Sequence, residues 1–129
     1  IKKFVKKNSN AIYCKFLGRD NYFSIIKNIN AVIGNSSSGI SEVPSLKKPT
    51  INIGLRQKGR IQSKSVVTIE KLSYMKLSKA IKKVDSKEFL KNIKTLKNPY
   101  YKKNTTKNIC KLLEKIKFND LYTKKFVDL

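Results

Sequence analysis

Residues 31–54 read AVIGNSSSGISEVPSLKKPTINIG and contain the clearest alternation of strand and helix patterns in the chain. The apolar run AVIG predicts a short buried strand, and PTINIG predicts a second one. Between them, the small residues of GNSSSG predict a turn, followed by a helix from about Gly39 to Lys47. Pro44 would lie in the second turn of that helix, so we expect the helix to bend or shorten there. A strand–helix–strand unit of this kind predicts two parallel strands joined by a crossover.

Strands and helices also alternate outside this unit. The other predicted elements are a helix over residues 1–8, a strand over Ala11–Leu17, a helix over Tyr22–Asn30, a short strand over Ser65–Ile69, and helices over Leu72–Val84, Ser86–Leu96 and Thr105–Ile116. This alternation predicts an α/β fold with a Rossmann-like parallel sheet. Three or four short strands are few for such a sheet, so we expect its missing strands upstream, outside this chain.

The turn at residues 34–39 carries the first candidate site. Ligands of open parallel sheets bind at the carboxyl ends of the strands, where this turn lies. Ser36 and Ser37 supply hydroxyl groups, and the start of the following helix favours an anion such as a diphosphate. The alternative is an ordinary helix N-cap, in which one serine caps the helix and the others merely tolerate the turn.

Glu42 and the loop NIGLRQKGR at residues 52–60 carry the other candidates. Glu42 is either a ligand for the vicinal hydroxyls of a ribose or a carboxylate that complements the helix dipole. Arg56 and Arg60 stand out because arginine is scarce in this chain, and a guanidinium grips a phosphate through two N–H groups. The alternative for both arginines is ordinary surface charge in a loop.

The net charge of +22 at pH 7 attracts polyanions. Nearly all of the 30 basic residues are lysines spread along the chain, whereas surfaces that read bases favour arginine. We therefore expect solvated surface lysines and no nucleic-acid partner. No run approaches the roughly 18 apolar residues of a transmembrane helix, so we predict a cytoplasmic protein without a membrane partner.

The chain contains no histidine, which excludes Ser-His-Asp and Cys-His catalytic arrangements within it. Its eight acidic residues are scattered and show no acid–base pair. Cys14 and Cys110 are far apart and lack metal-ligand spacing, so we expect two buried thiols. The sequence therefore predicts a chain that holds a ligand, with no catalytic residue, no metal and no cofactor.

The segment GNSSSGISEVPSLKKPTINIGLRQKGR, followed by SVV, resembles the C-terminal domain of the hydrolysing UDP-N-acetylglucosamine 2-epimerases. The resemblance is to the branch that feeds sialic-acid and related nonulosonic-acid synthesis. LGRDNYFSIIKN upstream and NPYYKKNTTKNICKLLEKI downstream resemble the same family, so the likeness covers roughly Leu17–Ile116. It implies two Rossmann-like domains with a cleft between them, as in glycosyltransferase-B-type enzymes.

By this resemblance, residues 1–129 are part of the C-terminal UDP-binding domain, and the N-terminal domain is absent. The nucleotide-binding core covers about 1–70, the C-terminal helices about 71–118, and a tail 119–129. The serines of the turn and the backbone of Gly39 would hold the diphosphate of UDP, and Glu42 would bind the ribose hydroxyls. Arg56 would approach the phosphate or the sugar, and Arg60 would support its loop.

The resemblance also implies a reaction. The family removes the proton at C2 of the sugar and eliminates UDP through a 2-acetamidoglucal-like intermediate. Water then adds, which gives the free 2-epimer, N-acetylmannosamine in the parent case. The acidic residues and the histidine that transfer protons lie outside this chain, so we expect the isolated chain to be inactive. We expect the full-length enzyme to be a homodimer or a tetramer.

Two other functions are open at this point. A glycosyltransferase of the B-type fold would share the nucleotide pocket, but it would carry a different, acidic cluster before the helix. A non-enzymatic polyanion-binding module would bind RNA or heparin, and UDP would not compete with that binding.

Overall fold

A computed structural model describes residues 1–116 of the chain. Its helices are α1 (Lys2–Lys7), α2 (Arg19–Asn28), α3 (Ser38–Ser41), a 3-10 helix (Val43–Leu46), α4 (Tyr74–Val84), α5 (Lys87–Thr95) and α6 (Thr105–Lys115). Its strands are β1 (Val32–Gly34), β2 (Thr50–Ile53) and β3 (Val66–Ile69). The predicted tail over 119–129 lies outside the described residues.

The three strands form one parallel sheet in the order β1–β2–β3. Val32 pairs with Thr50 across the first ladder, and Ile51 pairs with Val67 across the second. Thr50, Ile51 and Asn52 of the central strand are all buried, as expected for a parallel strand covered on both faces. The sheet confirms the α/β class and the parallel strand–helix–strand unit.

Helix α4 packs against β2 and β3 and forms the main apolar core. The hydroxyl of its N-cap, Ser73, accepts a hydrogen bond from a backbone N–H of the first turn, which explains where the helix begins. Ala80 and Val84 lie four residues apart on one stripe of the helix and pack against Ile51 and Ile69. Fully burying a valine or isoleucine side chain such as those of Val84, Ile51 and Ile69 stabilises a fold by about 1.5–3 kcal/mol each.

The predicted helix over residues 39–47 is shorter than expected and divided in two. Helix α3 ends at Ser41, and a 3-10 helix with Pro44 in its first turn follows. Proline has no N–H to donate to the preceding turn, so the α-helix ends before it. Lys47 closes the 3-10 helix in the left-handed conformation, with φ 56° and ψ 35°. The prediction that Pro44 shortens the helix is confirmed.

The predicted strand over Ala11–Leu17 is wrong for the described part of the chain, where this segment is irregular. A strand needs a neighbour that pairs its backbone N–H and C=O groups, and no segment within residues 1–116 pairs with this one. Its apolar side chains stay in solvent, with Ile12 93% and Phe16 86% exposed.

The prediction of two buried thiols is also wrong, because Cys14 and Cys110 are both exposed. Cys14 belongs to the irregular segment before α2, and Cys110 belongs to α6, in which no residue is buried. The apolar stripe of α6 is accordingly half exposed, with Ile109 at 51% and Leu112 at 60%. Within residues 1–116, no helix has the length and apolar character needed to cross a membrane.

Candidate ligand-binding site

The serine turn, residues Asn35–Ser38, connects β1 to α3 at the carboxyl end of the sheet. Its shape is fixed locally, since the Ser38 N–H donates to Ser36 Oγ at 3.3 Å and the Ile40 N–H donates to the Ser37 carbonyl at 3.0 Å. Ser37 is the N-cap residue of α3, but its side chain makes no capping hydrogen bond. The exposed Ser37 hydroxyl is therefore free for a ligand.

Helix α3 has only four residues, so its dipole is far weaker than the one expected from a helix over residues 39–47. What remains for an anion is a set of individual donors. Among the described residues, the backbone N–H groups of Ser36 and Ser37 donate to no acceptor of the chain. The site therefore depends on these N–H groups and on serine hydroxyls rather than on a long helix.

Gly39 anchors the turn to the sheet. Its carbonyl accepts a hydrogen bond of 2.7 Å from the hydroxyl of Thr50, a buried residue of β2. A Cβ at Gly39 would lie 2.8 Å from Thr50 Cγ2, so only glycine allows this approach. Its N–H already donates to the Ser36 carbonyl at 3.2 Å. In this structure Gly39 holds the serine turn against β2, and its N–H group is already hydrogen-bonded within the chain.

Tyr22 of α2 reaches the serine turn from the side. Its hydroxyl oxygen lies 2.6 Å from Ser38 Oγ, and either group can be the donor. From the sequence, Tyr22 was expected only as the first residue of a helix over Tyr22–Asn30, without this contact. The only available signal was the phenol hydroxyl, because a half-buried tyrosine usually finds a hydrogen-bond partner for it.

Two hollows share Tyr22 and Glu42 in their linings, and one of them adjoins the turn. This serine-turn hollow, of about 420 Å³, is lined by β1, Tyr22, Glu42, Thr50, Gly39 and the turn residues Asn35, Ser36 and Ser38, whereas Ser37 does not belong to its lining. The aromatic hollow, also of about 420 Å³, is lined by residues 14–19 together with Tyr22, Phe23 and Glu42. Together they have the size of a site for a small organic ligand.

Glu42 lines both hollows. It lies between α3 and the 3-10 helix, whereas the expected helix from about Gly39 would have placed it in a first turn. Its backbone N–H donates to the Ser38 carbonyl at 2.9 Å, which fixes the residue beside the turn. The carboxylate belongs to an exposed residue and is open to ligand hydroxyl groups. Glu42 is also the N-cap residue of the 3-10 helix and makes no side-chain capping hydrogen bond, so its carboxylate either complements the start of that helix or binds a ligand.

The arginine loop, residues Leu55–Arg60, follows β2 and lies next to the serine turn. It consists of two successive turns, in which the Lys58 N–H donates to the Leu55 carbonyl and the Arg60 N–H to the Gln57 carbonyl. Gly54 precedes these turns and Gly59 lies within the second one, with φ of 82° and 80°, which glycine adopts without strain. Arg56 and Arg60 are exposed, and neither belongs to the lining of the two hollows.

Gln57 joins the two loops through a contact that was not predicted from the sequence. Its side-chain amide donates a hydrogen bond of 2.8 Å to the carbonyl of Asn35 in the serine turn. The residue is only 2% exposed, although Arg56 and Lys58 on either side are exposed. A glutamine between two basic residues is typical of an exposed surface, so nothing in the sequence indicated this burial.

The described residues contain no group of three His, Cys, Asp or Glu side chains that could hold a metal ion. The site therefore offers hydroxyls, backbone N–H groups and one carboxylate, and the adjoining loop carries two exposed arginines. This set of groups fits a ligand that carries both phosphate and sugar hydroxyls.

The family model described as UDP-N-acetylglucosamine 2-epimerase matches residues 1–114. The chain belongs to the UDP-N-acetylglucosamine 2-epimerase family. This family is enzymatic, and the matched residues include the serine turn, Glu42 and the arginine loop.

The chain is similar to two curated proteins of the epimerase family that are considerably longer than it. It is 42% identical over its full length to the GDP/UDP-N,N'-diacetylbacillosamine 2-epimerase (hydrolyzing) of Campylobacter jejuni, of which it covers 33%. It is 34% identical over 98% of its length to the polysialic acid biosynthesis protein P7 of Escherichia coli, of which it covers 32%. The chain spans about a third of the length of these curated relatives.

Proposed function

We propose that this chain is the UDP-binding part of a hydrolysing UDP-sugar 2-epimerase. The full-length enzyme would convert a UDP-2-acetamido sugar into UDP and the free 2-epimer, such as N-acetylmannosamine. The observation that carries the proposal is the serine turn at the carboxyl end of a parallel sheet, where the Ser37 hydroxyl and the N–H groups of Ser36 and Ser37 have no hydrogen-bond partner among the described residues. Family membership and the word "hydrolyzing" in the name of one relative support the reaction class.

In this proposal the serine turn binds the diphosphate. Ser37 donates its free hydroxyl, and the N–H groups of Ser36 and Ser37 donate to the phosphate oxygens. Hydrogen bonds to a charged acceptor contribute about 1.5–3 kcal/mol each. Gly39 keeps the turn against Thr50, so the donors are in place before the ligand arrives.

Glu42 binds the ribose by accepting hydrogen bonds from its vicinal hydroxyls. Its position supports this role, because it lines both the serine-turn hollow and the aromatic hollow. The ribose of UDP lies between the diphosphate and the base. The uracil ring would then occupy the aromatic hollow, where Phe23 and Tyr22 offer apolar surface.

Arg56 contacts the phosphate or the sugar, and Arg60 supports the loop. The hydrogen bond from Gln57 to Asn35 brings the loop beside the turn, within the neighbourhood of the diphosphate. When the C1–O bond breaks, negative charge grows on the departing UDP. Positioned guanidinium and N–H donors stabilise that charge, which is where this chain contributes to the rate.

Proton transfer at C2 belongs to residues outside this chain, because the chain has no histidine and no acid–base pair at the site. We therefore propose that an N-terminal domain completes the active site in a cytoplasmic homodimer or tetramer. No metal and no cofactor enter the proposed reaction.

An assay of the protein expressed from its complete gene tests this function. UDP-N-acetylglucosamine and UDP-N,N'-diacetylbacillosamine are supplied separately, UDP release is followed, and the configuration of the freed sugar at C2 is read by NMR. We expect one substrate to give UDP and the inverted sugar, with kcat/KM at least about tenfold lower for Arg56→Ala than for Lys58→Ala. Release of a sugar without inversion, or transfer to an added acceptor, would contradict an epimerase and favour a glycosyltransferase.

A further inference from the structure

The structure assigns to Gln57 the role of a positioning residue that holds the arginine loop, and with it Arg56, against the serine turn. This inference rests on the proposed function, because it concerns how the UDP site is assembled. It begins from one contact between two loops that follow different strands. The amide of Gln57 donates to the Asn35 carbonyl at 2.8 Å, across 22 residues of sequence.

The orientation of the Gln57 amide follows from its partner. A backbone carbonyl only accepts hydrogen bonds, so the amide nitrogen and not the amide oxygen must face Asn35. The oxygen, Oε1, is then left buried, and no residue within 1–116 donates a hydrogen bond to it. A buried acceptor without a donor lowers the stability of a fold.

The unpaired Oε1 of Gln57 argues against a role of this side chain in fold stability alone. A leucine or methionine of similar size would fill the same space without burying an unpaired acceptor. Glutamine is the better residue here only for its N–H donor, and this donor ties the loop to the turn. Burial of Gln57 at 2% exposure, between two exposed basic residues, shows that this side chain alone points the loop inward.

The consequence concerns Arg56, the residue immediately before Gln57. Gly54 before the loop and Gly59 within it leave its backbone permissive, and the hydrogen bonds of its two turns lie within the loop. Without the Gln57 bond, these turns persist but lose their fixed distance from Asn35. Arg56 then samples many positions, and its guanidinium meets the diphosphate in only a fraction of them.

A double-mutant cycle tests the inference, with UDP affinity measured by calorimetry on the protein expressed from its complete gene. We expect Gln57→Leu to weaken UDP binding about tenfold, or about 1.4 kcal/mol. In the Gln57→Leu background, Arg56→Ala should weaken binding further by less than about threefold, because the two residues act as one unit. Gln62→Leu, the same substitution just beyond the loop, should leave UDP affinity within about twofold of the parent value.

The outcomes separate the two proposals. If the folded parent protein does not bind UDP, the proposed function and this inference both fail. If Arg56→Ala weakens UDP binding but Gln57→Leu does not, only the inference fails. It also fails if the losses from Gln57→Leu and Arg56→Ala multiply fully. Should Gln57→Leu not fold, Gln57→Met replaces it, and failure of both to fold would make Gln57 a folding residue and overturn the inference.

Discussion

Replacing Gly39 by alanine tests how the serine turn is held on the sheet. A Cβ at this position would lie 2.8 Å from Thr50 Cγ2, and the next atoms of Thr50 would be at 3.6 and 3.8 Å. Carbon atoms make favourable contacts at about 3.5–4.0 Å, so roughly 0.7 Å of separation is missing. Thr50 is 2% exposed and its hydroxyl is bonded to Gly39, so it has little room to retreat.

Overpacking of this kind costs about 1–3 kcal/mol, and alanine recovers up to about 1 kcal/mol over glycine through helix propensity. We therefore expect Gly39→Ala to lower the free energy of unfolding by about 1–2 kcal/mol, measured by urea denaturation. Gly34→Ala is the matched control, because a Cβ there would meet nothing within 4 Å. Its free energy of unfolding should stay within about 0.5 kcal/mol of the parent value.

A second substitution tests whether Thr50 Cγ2 is the atom that makes Gly39→Ala destabilising. Thr50→Ser removes Cγ2 and keeps the hydroxyl that donates to the Gly39 carbonyl. Alone it should cost about 1 kcal/mol for the lost buried methyl group. In the Gly39→Ala background it also removes the clash, so the double variant should match Thr50→Ser alone within about 0.5 kcal/mol. Additive losses would refute the contact on which this reasoning depends.

Three further predictions concern stability and are read from thermal or chemical unfolding. Lys47→Gly should raise the free energy of unfolding by about 1 kcal/mol, because Lys47 has a left-handed backbone with φ 56° that strains a side chain. Ile51→Ala should lower it by about 2–5 kcal/mol, since Ile51 is fully buried, whereas Ile61→Ala at a 68% exposed position should change it by less than about 0.5 kcal/mol. Tyr22→Phe should lower it by about 0.5–1.5 kcal/mol, because the variant loses the hydrogen bond to Ser38. If Ile51→Ala lowers the free energy of unfolding no more than Ile61→Ala does, Ile51 does not belong to the core. A lower free energy of unfolding for Lys47→Gly would contradict backbone strain at Lys47. An unchanged free energy of unfolding for Tyr22→Phe would contradict the hydrogen bond between Tyr22 and Ser38.

The parallel sheet could be predicted because its signals are local. Apolar runs with β-branched residues at 31–34 and 49–54, separated by a turn and a helix of suitable length, admit few other arrangements. Pro44 marked the end of α3 for an equally local reason, namely the missing N–H. The strand expected over Ala11–Leu17 was wrong because strand formation depends on a partner, and the composition of a segment does not reveal one.

The residues of the candidate site differ in the same way, because local sequence indicates some of them and not others. Ser36 and Ser37 could be singled out because they closely follow a strand, and parallel sheets bind ligands at that end, whereas Glu42 was singled out as the carboxylate of the segment that follows them. Tyr22 and Gln57 could not, since each acts through a contact with a residue 16 or 22 positions away. Their chemistry is visible in the sequence, but their distance from the serine turn is fixed only by the packed fold.

The most direct test of the central claim is calorimetric measurement of UDP binding by the protein expressed from its complete gene, at physiological salt. The parent protein is compared with Ser37→Ala, Arg56→Ala and Lys58→Ala, the last of which removes an equal charge from the same loop. We expect Ser37→Ala and Arg56→Ala each to weaken binding by about 1–3 kcal/mol. Lys58→Ala should weaken it by less than about 0.5 kcal/mol, because exposed charges contribute little. A folded protein that binds no UDP, or binds it equally well in all four forms, would contradict the account.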